Sequence, residues 1–111
     1  MTERLRQHRR IISLFLSEEL NPRQRNSLVK VANKQEINIV GEVVLNFLEG
    51  RLPIKDIGSL LKYRQAYHSI AKRDIDFGKR KRLVLKHGKA VHILFTKLKS
   101  FFEDLFQQDE V

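Results

Sequence analysis

The sequence has no cysteine, two prolines, five glycines and no apolar run approaching a membrane span. Without cysteine there are no disulfides and no thiolate metal sites, and the redox compartment is left open. Its apolar stretches fall well short of the roughly 20 residues that cross a bilayer. The opening MTERLRQHRRIISLFLSEEL places basic residues ahead of a short apolar stretch, as a signal peptide does. However, Ser13 interrupts that stretch, Glu18 and Glu19 follow it, and no small-residue cleavage site appears. It reads as an amphipathic helix of an intracellular protein. Catalytic patterns are also missing. His8, His68, His87 and His92 build no HExxH or Cys/His cluster, and His87 and His92, five apart, do not share a helical turn. There is no GxxxxGK[ST], no GxGxxG, and no serine in a GxSxG elbow. Glu18-Glu19 and the Asp74/Asp76 pair read as helix-end residues. The expectation is a binding protein, not an enzyme, with no catalytic residue, no metal and no cofactor.

What the chain does have is positive charge in one place. Over 111 residues the net charge is +9, with 41% hydrophobic and 32% charged residues, a composition that folds around one modest core as a single helical domain. Residues 1–50 carry 8 basic and 6 acidic side chains, residues 51–89 carry 12 and 3, and residues 90–111 carry 2 and 4. The excess therefore sits in the basic segment 51–89. Such asymmetry points to a polyanion: nucleic acid, with DNA ahead of RNA, and anionic membrane last. The competing reading is a solvated basic face, or one that meets an acidic protein.

The apolar periodicity is helical throughout. Thr2 caps a first helix with Leu5, Ile12, Phe15 and Leu16 on one face. Asn21-Pro22 opens a second, since asparagine caps well and proline suits the first helical position. From Gln35 to Glu49 the residues Ile37, Val40, Val44, Phe47 and Leu48 keep helical spacing. Gly41 allows a close helix–helix approach, and Gly50 stops the chain. Leu52-Pro53 is an extended link. Asp56 caps a helix over about 57–73, and Asp76 caps a short one over about 77–87. Gly88 ends or kinks that helix, and an amphipathic helix over about 89–107 closes the chain. Its acidic end, Glu103, Asp104, Asp109 and Glu110, opposes the helix dipole and is expected to fray. The fold class is all-α, a compact bundle of five or six short helices.

The candidate phosphate contacts are Lys72, Arg73, Lys79, Arg80, Lys81, Arg82, Lys86 and Lys89. Lys79 to Arg82 occupy consecutive positions about 100° apart round a helix, so all four cannot face one groove. If about 5 phosphates are neutralised, log K for duplex DNA falls with log salt at a slope near −4.5. Few Asn or Gln flank the cluster, so sequence preference is expected to be weak. Arg4, Arg6, Arg9 and Arg10 form a secondary basic patch, read alternatively as a solvated helix face. Tyr63 is either a base-stacking ring or an ordinary half-buried tyrosine. The alternative to nucleic acid is a protein-interaction module or homodimer using the last helix through Leu94, Phe95, Leu98, Phe101, Phe102 and Leu105. The KRKR run also fits a nuclear-import signal.

The run NPRQRNSLVKVANKQEINIVGEVVLNFLEGRLPI, followed by LLKYRQAYHSIAKRDIDFGKRKRLVLKHGK, resembles the small basic open reading frames of Polinton/Maverick-type elements and adintovirus-like animal DNA viruses. The likeness spans about Asn21 to Lys89. It lies in the order of features: a helix ending in glycine, a proline link, a basic helix and a second basic run ending near glycine. It implies a viral or mobile-element origin and leaves the activity unassigned; genome binding or packaging, in the nucleus or the virion, suits the charge.

Overall fold

The computed structural model describes residues 2–107. Asp109 and Glu110 of the acidic end lie outside them. Eight α-helices follow in order among the described residues: α1 (Thr2–Gln7), α2 (Arg9–Leu16), α3 (Pro22–Lys30), α4 (Lys34–Leu48), α5 (Arg64–Ala71), α6 (Phe77–Lys86), α7 (Gly88–Lys97) and α8 (Lys99–Gln107). A 3-10 segment, Gly58–Tyr63, precedes α5, and no strand occurs among the described residues. The all-α class stands, but the expected count of five or six helices is too low.

The extra helices come from breaks inside runs whose apolar spacing is continuous. The first helix divides at His8, whose ring Nδ1 lies 2.7 Å from the Arg4 carbonyl, a side-chain bond that competes with the backbone ladder. The last divides at Leu98, whose N–H bonds back to the Phe95 carbonyl 3.0 Å away, a tighter turn than the α ladder makes. Just before it, the Thr96 hydroxyl donates to the His92 carbonyl at 2.8 Å, a contact that bends helices. The expected 57–73 helix is a 3-10 segment followed by α5. The Asp56 carboxylate accepts from the Gly58 N–H at 3.1 Å and closes a tight turn instead of capping an α-helix.

Helix starts follow the side-chain caps. Asn21 and Gln24 exchange bonds at 2.8 and 2.9 Å across the start of α3, and Asn33 and Glu36 do the same at 2.9 and 3.1 Å for α4. Asp76 accepts the Lys79 N–H at 2.9 Å and starts α6. α4 ends at Gly50, whose φ of 71° supplies the left-handed residue. There the Gly50 and Arg51 N–H groups bond to the carbonyls of Phe47 and Asn46 at 3.0 and 2.9 Å, which satisfies two end carbonyls.

α4 is the central element. It packs against α5 and α6 and also touches α2. Ile37, Ile39, Val40, Val43 and Val44 are all buried, so its apolar surface runs round most of the helix. That sandwiching explains its β-branched composition. α7 closes the other side of the core against α2 and the 3-10 segment. A chain of rings joins α2 to α8: Phe15 to Phe95 at 5.4 Å, Phe95 to Phe102 at 5.5 Å and Phe102 to Phe106 at 6.3 Å between centroids. Each such ring, fully buried, contributes about 1.5–3 kcal/mol. Tyr67 lies in the same core and donates its hydroxyl to the Ala90 carbonyl at 2.7 Å, tying α5 to α7. Burial, and secondarily the neighbouring Tyr63 hydroxyl, push the Tyr67 pKa well above its usual value.

Candidate nucleic-acid interface

The four consecutive cations of α6 are sorted by the fold into two inward and two outward. Arg80 turns in. Its Nε donates to the Ile70 carbonyl at 3.0 Å, one terminal nitrogen to Asn38 Oδ1 at 2.9 Å, and the other to the Lys72 carbonyl. The guanidinium thereby takes up two carbonyls at the end of α5, and burial pushes its pKa down. Lys81 turns toward α3. Its ammonium donates to the Lys30 carbonyl at 2.8 Å and lies 4.8 Å from the centre of the Phe77 ring. Both side chains are held to the protein's own backbone. Val84 is the buried anchor of the helix, with Phe77 and Leu83 half-buried beside it.

Lys79, Arg82 and Lys86 point the other way. They fall at i, i+3 and i+7, which is one stripe of a helix, and all three are exposed. The stripe rises about 10 Å. That matches about three phosphate-to-phosphate steps along one strand of duplex DNA. Lys89, on the first turn of α7, and Lys72, just after α5, are exposed too. No acidic side chain among the described residues forms an ion pair with any of these five. Arg73 is also exposed, and its guanidinium stands 4.0 Å from the Glu49 carboxylate.

A cleft of about 580 Å³ opens at the start of α6, lined by Lys34, Arg73, Arg80, Asp76 and Gly78 among others. Arg82, one turn after Gly78, lies alongside the first turn of α6: a Cβ on Gly78 would stand 3.7 Å from an Arg82 terminal nitrogen. Lys34 is a cation that the sequence reading passed over. It sits at the first position of α4 and reaches this cleft only through the packing of α4 against α6. No local pattern marks it. Asn38, the amide nearest the cluster, already accepts from Arg80. The exposed stripe itself carries only cationic side chains.

The secondary basic patch looks different. Arg10 forks onto Glu36 at 3.0 and 2.9 Å, Arg4 meets Glu42 at 2.7 Å, and Arg6 meets Glu3 at 3.4 Å. Arg9 lies 5.1 Å over the Phe106 ring. Arg4, Arg9 and Arg10 thereby tie α1 and α2 to α4 and α8. The bond from Arg10 holds the Glu36 carboxyl below the usual carboxylate range, and Glu36 in return raises the Arg10 pKa.

The stripe of the last two helices faces the chain's own core. Leu94, Phe95, Leu98, Phe102 and Leu105 are buried, and Phe101 is half-buried, packed on Phe102 at 5.4 Å. These side chains are taken up by the chain's own packing. Tyr63 is half-buried, with Lys62 over its ring at 5.2 Å and Tyr67 at 6.3 Å. One face of the ring thus carries Lys62 and the ring packs on Tyr67.

No family model, no curated protein and no solved structure matches this chain. Among the described residues no helix is long and apolar enough to cross a membrane, and no three His, Cys, Asp or Glu side chains gather as a metal set would.

Proposed function

We propose that the protein binds nucleic acid through its phosphates, DNA ahead of RNA, with weak sequence preference. The observation that carries this reading is the sorting on α6. Lys79, Arg82 and Lys86 share one exposed stripe free of acidic partners among the described residues, whereas Arg80 and Lys81 are bonded inward. Lys72, just after α5, and Lys89, on α7, are exposed as well, and Arg73 and Lys34 line the cleft at the start of α6. The phosphate set is therefore Lys72, Arg73, Lys79, Arg82, Lys86 and Lys89 with Lys34 added, and Arg80 and Lys81 act as its supports. The resemblance of Asn21 to Lys89 to proteins of Polinton/Maverick-type elements adds, as part of the proposal, a viral or mobile-element nucleoprotein.

Fluorescence-anisotropy titration of labelled duplex DNA, single-stranded DNA and RNA tests this. Wild type is compared with the variant Lys79→Ala/Arg82→Ala/Lys86→Ala, whose folding is checked by circular dichroism. Micromolar or tighter binding at low salt, weakened at least about tenfold in the folded variant, supports the reading. Equal binding by the two proteins, or none by either, rejects it.

A further inference from the structure

An apolar opening lies away from the α6 stripe. It is a groove of about 590 Å³ between the end of α4, the link after it and the 3-10 segment. Phe47, Leu48, Ile54, Leu60 and Tyr67 line it. Its lips are unusual for a small protein: Ile57 is 46% exposed and Leu61 56%. Apolar lips that stand out into water extend the apolar surface past the groove itself. An enclosed pocket for a small ligand has no use for them, but a helix laid across the groove covers them.

The charge that lines the groove is basic. Arg64 and His68, one turn apart on α5, form its polar edge, and none of its lining residues is acidic. Arg51, Lys55 and Lys62 are exposed on the neighbouring segments. Two acids adjoin the lining in sequence: Glu49, whose carboxylate stands 3.5 Å from Arg51 and 4.0 Å from Arg73, and Asp56, which stands 4.0 Å from Lys97. Arg64, Lys55 and Lys62 are thus the rim cations without an acid among the described residues. An occupant must therefore bring apolar side chains for the groove and carboxylates for the rim.

We infer that this groove is a docking site for an acidic amphipathic helix of a partner protein, with aliphatic or aromatic anchors at i, i+3 or i+4, and i+7, and Asp or Glu between them. The site is separate from the phosphate stripe. Arg64 and Lys72 stand at opposite ends of α5, about 12 Å apart along the helix. One molecule can hold nucleic acid at one end of α5 and a protein segment at the other.

A peptide-display selection on the full chain tests the inference, using the Lys79→Ala/Arg82→Ala/Lys86→Ala background so that acidic peptides cannot win by mimicking phosphate. The expected result is enrichment of acidic sequences with helical apolar spacing. Their binding falls at least about tenfold in Leu61→Asp and in Ile57→Asp, and falls more mildly in Arg64→Glu. Leu61 and Ile57 are exposed, so both aspartate variants keep the fold, which circular dichroism checks. No enrichment, enrichment of apolar sequences without acids, or binding unchanged by Leu61→Asp overturns the inference. Self-association of the unmodified protein by light scattering, abolished by Leu61→Asp, also overturns it and assigns the groove to a second copy. None of these outcomes depends on nucleic-acid binding.

Discussion

Gly41 and Arg80 are in contact at a distance that no other residue at position 41 can match: a Cβ there would stand 2.9 Å from Arg80 Nε and 3.0 Å from its Cδ. The glycine in the middle of α4 is the seat of an arginine from α6. The close approach anticipated from Gly41 is therefore made by a side chain and not by a second helix. Three bonds to Ile70, Asn38 and Lys72 leave that arginine little room to withdraw.

Gly41→Ala consequently has two opposed effects. Alanine favours the helix by about 1 kcal/mol over glycine. Forcing Arg80 out of place costs about 1–3 kcal/mol. The net expectation is a loss of about 1 kcal/mol. In an Arg80→Ala background the clash is gone and Gly41→Ala should stabilise. Urea unfolding of the four proteins of this cycle checks the sign reversal. A stabilising Gly41→Ala in the wild type would show that the arginine is not held there.

The Arg10–Glu36 pair predicts a pH dependence. The hydrogen bond from Arg10 leads the depression of the Glu36 carboxyl in the folded protein. A carboxyl depressed on folding stabilises above its unfolded pKa of about 4.3, and that contribution disappears as pH falls through the folded value. Wild type should therefore lose more stability than Glu36→Gln between about pH 4.5 and pH 2.5. Arg10→Met should bring the Glu36 carboxyl, followed by NMR, back toward its usual range. Parallel stability curves for wild type and Glu36→Gln would contradict the assignment.

Arg25 on α3 is 4% exposed, and its Nε has no hydrogen-bond partner among the described residues. Burial lowers its pKa with no acid to offset it. Arg25→Met, which keeps most of the volume and drops the charge, should raise the thermal midpoint by about 4 °C, equivalent to about 1 kcal/mol. Binding to nucleic acid should be unaffected. A lowered midpoint in a calorimetric scan would mean that the guanidinium makes a stabilising contact.

The parts of the fold that were readable before the structure are those written into neighbouring residues. Asn21 and Asp76 cap α3 and α6 as their positions suggest, and Gly50 adopts the left-handed turn that ends α4. The spacing of Ile37, Val40 and Val44, and of Val91, Leu94 and Phe95, marks two buried faces correctly. Asn33 also carried a local signal, since Glu36 follows at the capping-box interval, yet it reads as a loosening residue if only the end of α3 is considered. The breaks at His8 and Leu98 leave no trace in the apolar spacing, which continues through both. The division of Lys79 to Arg82 was half legible. Helical geometry requires the four to diverge, but which of them turn inward depends on Asn38, Ile70 and Lys30, residues 42, 10 and 51 positions away from their partners. The acids that occupy Arg4 and Arg10 come from α4, also beyond the reach of local pattern.

The salt dependence of duplex DNA binding tests the central claim most directly, because it counts phosphates instead of reporting affinity alone. Wild type should show a slope of log K against log salt near −4.5, for about 5 contacts. Lys79→Ala/Arg82→Ala/Lys86→Ala should flatten it by about 3, close to one unit for each cation removed. Lys81→Met, which removes an inward-bonded charge from the same helix, should leave the slope where it was. Equal flattening by Lys81→Met and by any single change on the exposed stripe would contradict the sorting of these cations by the fold.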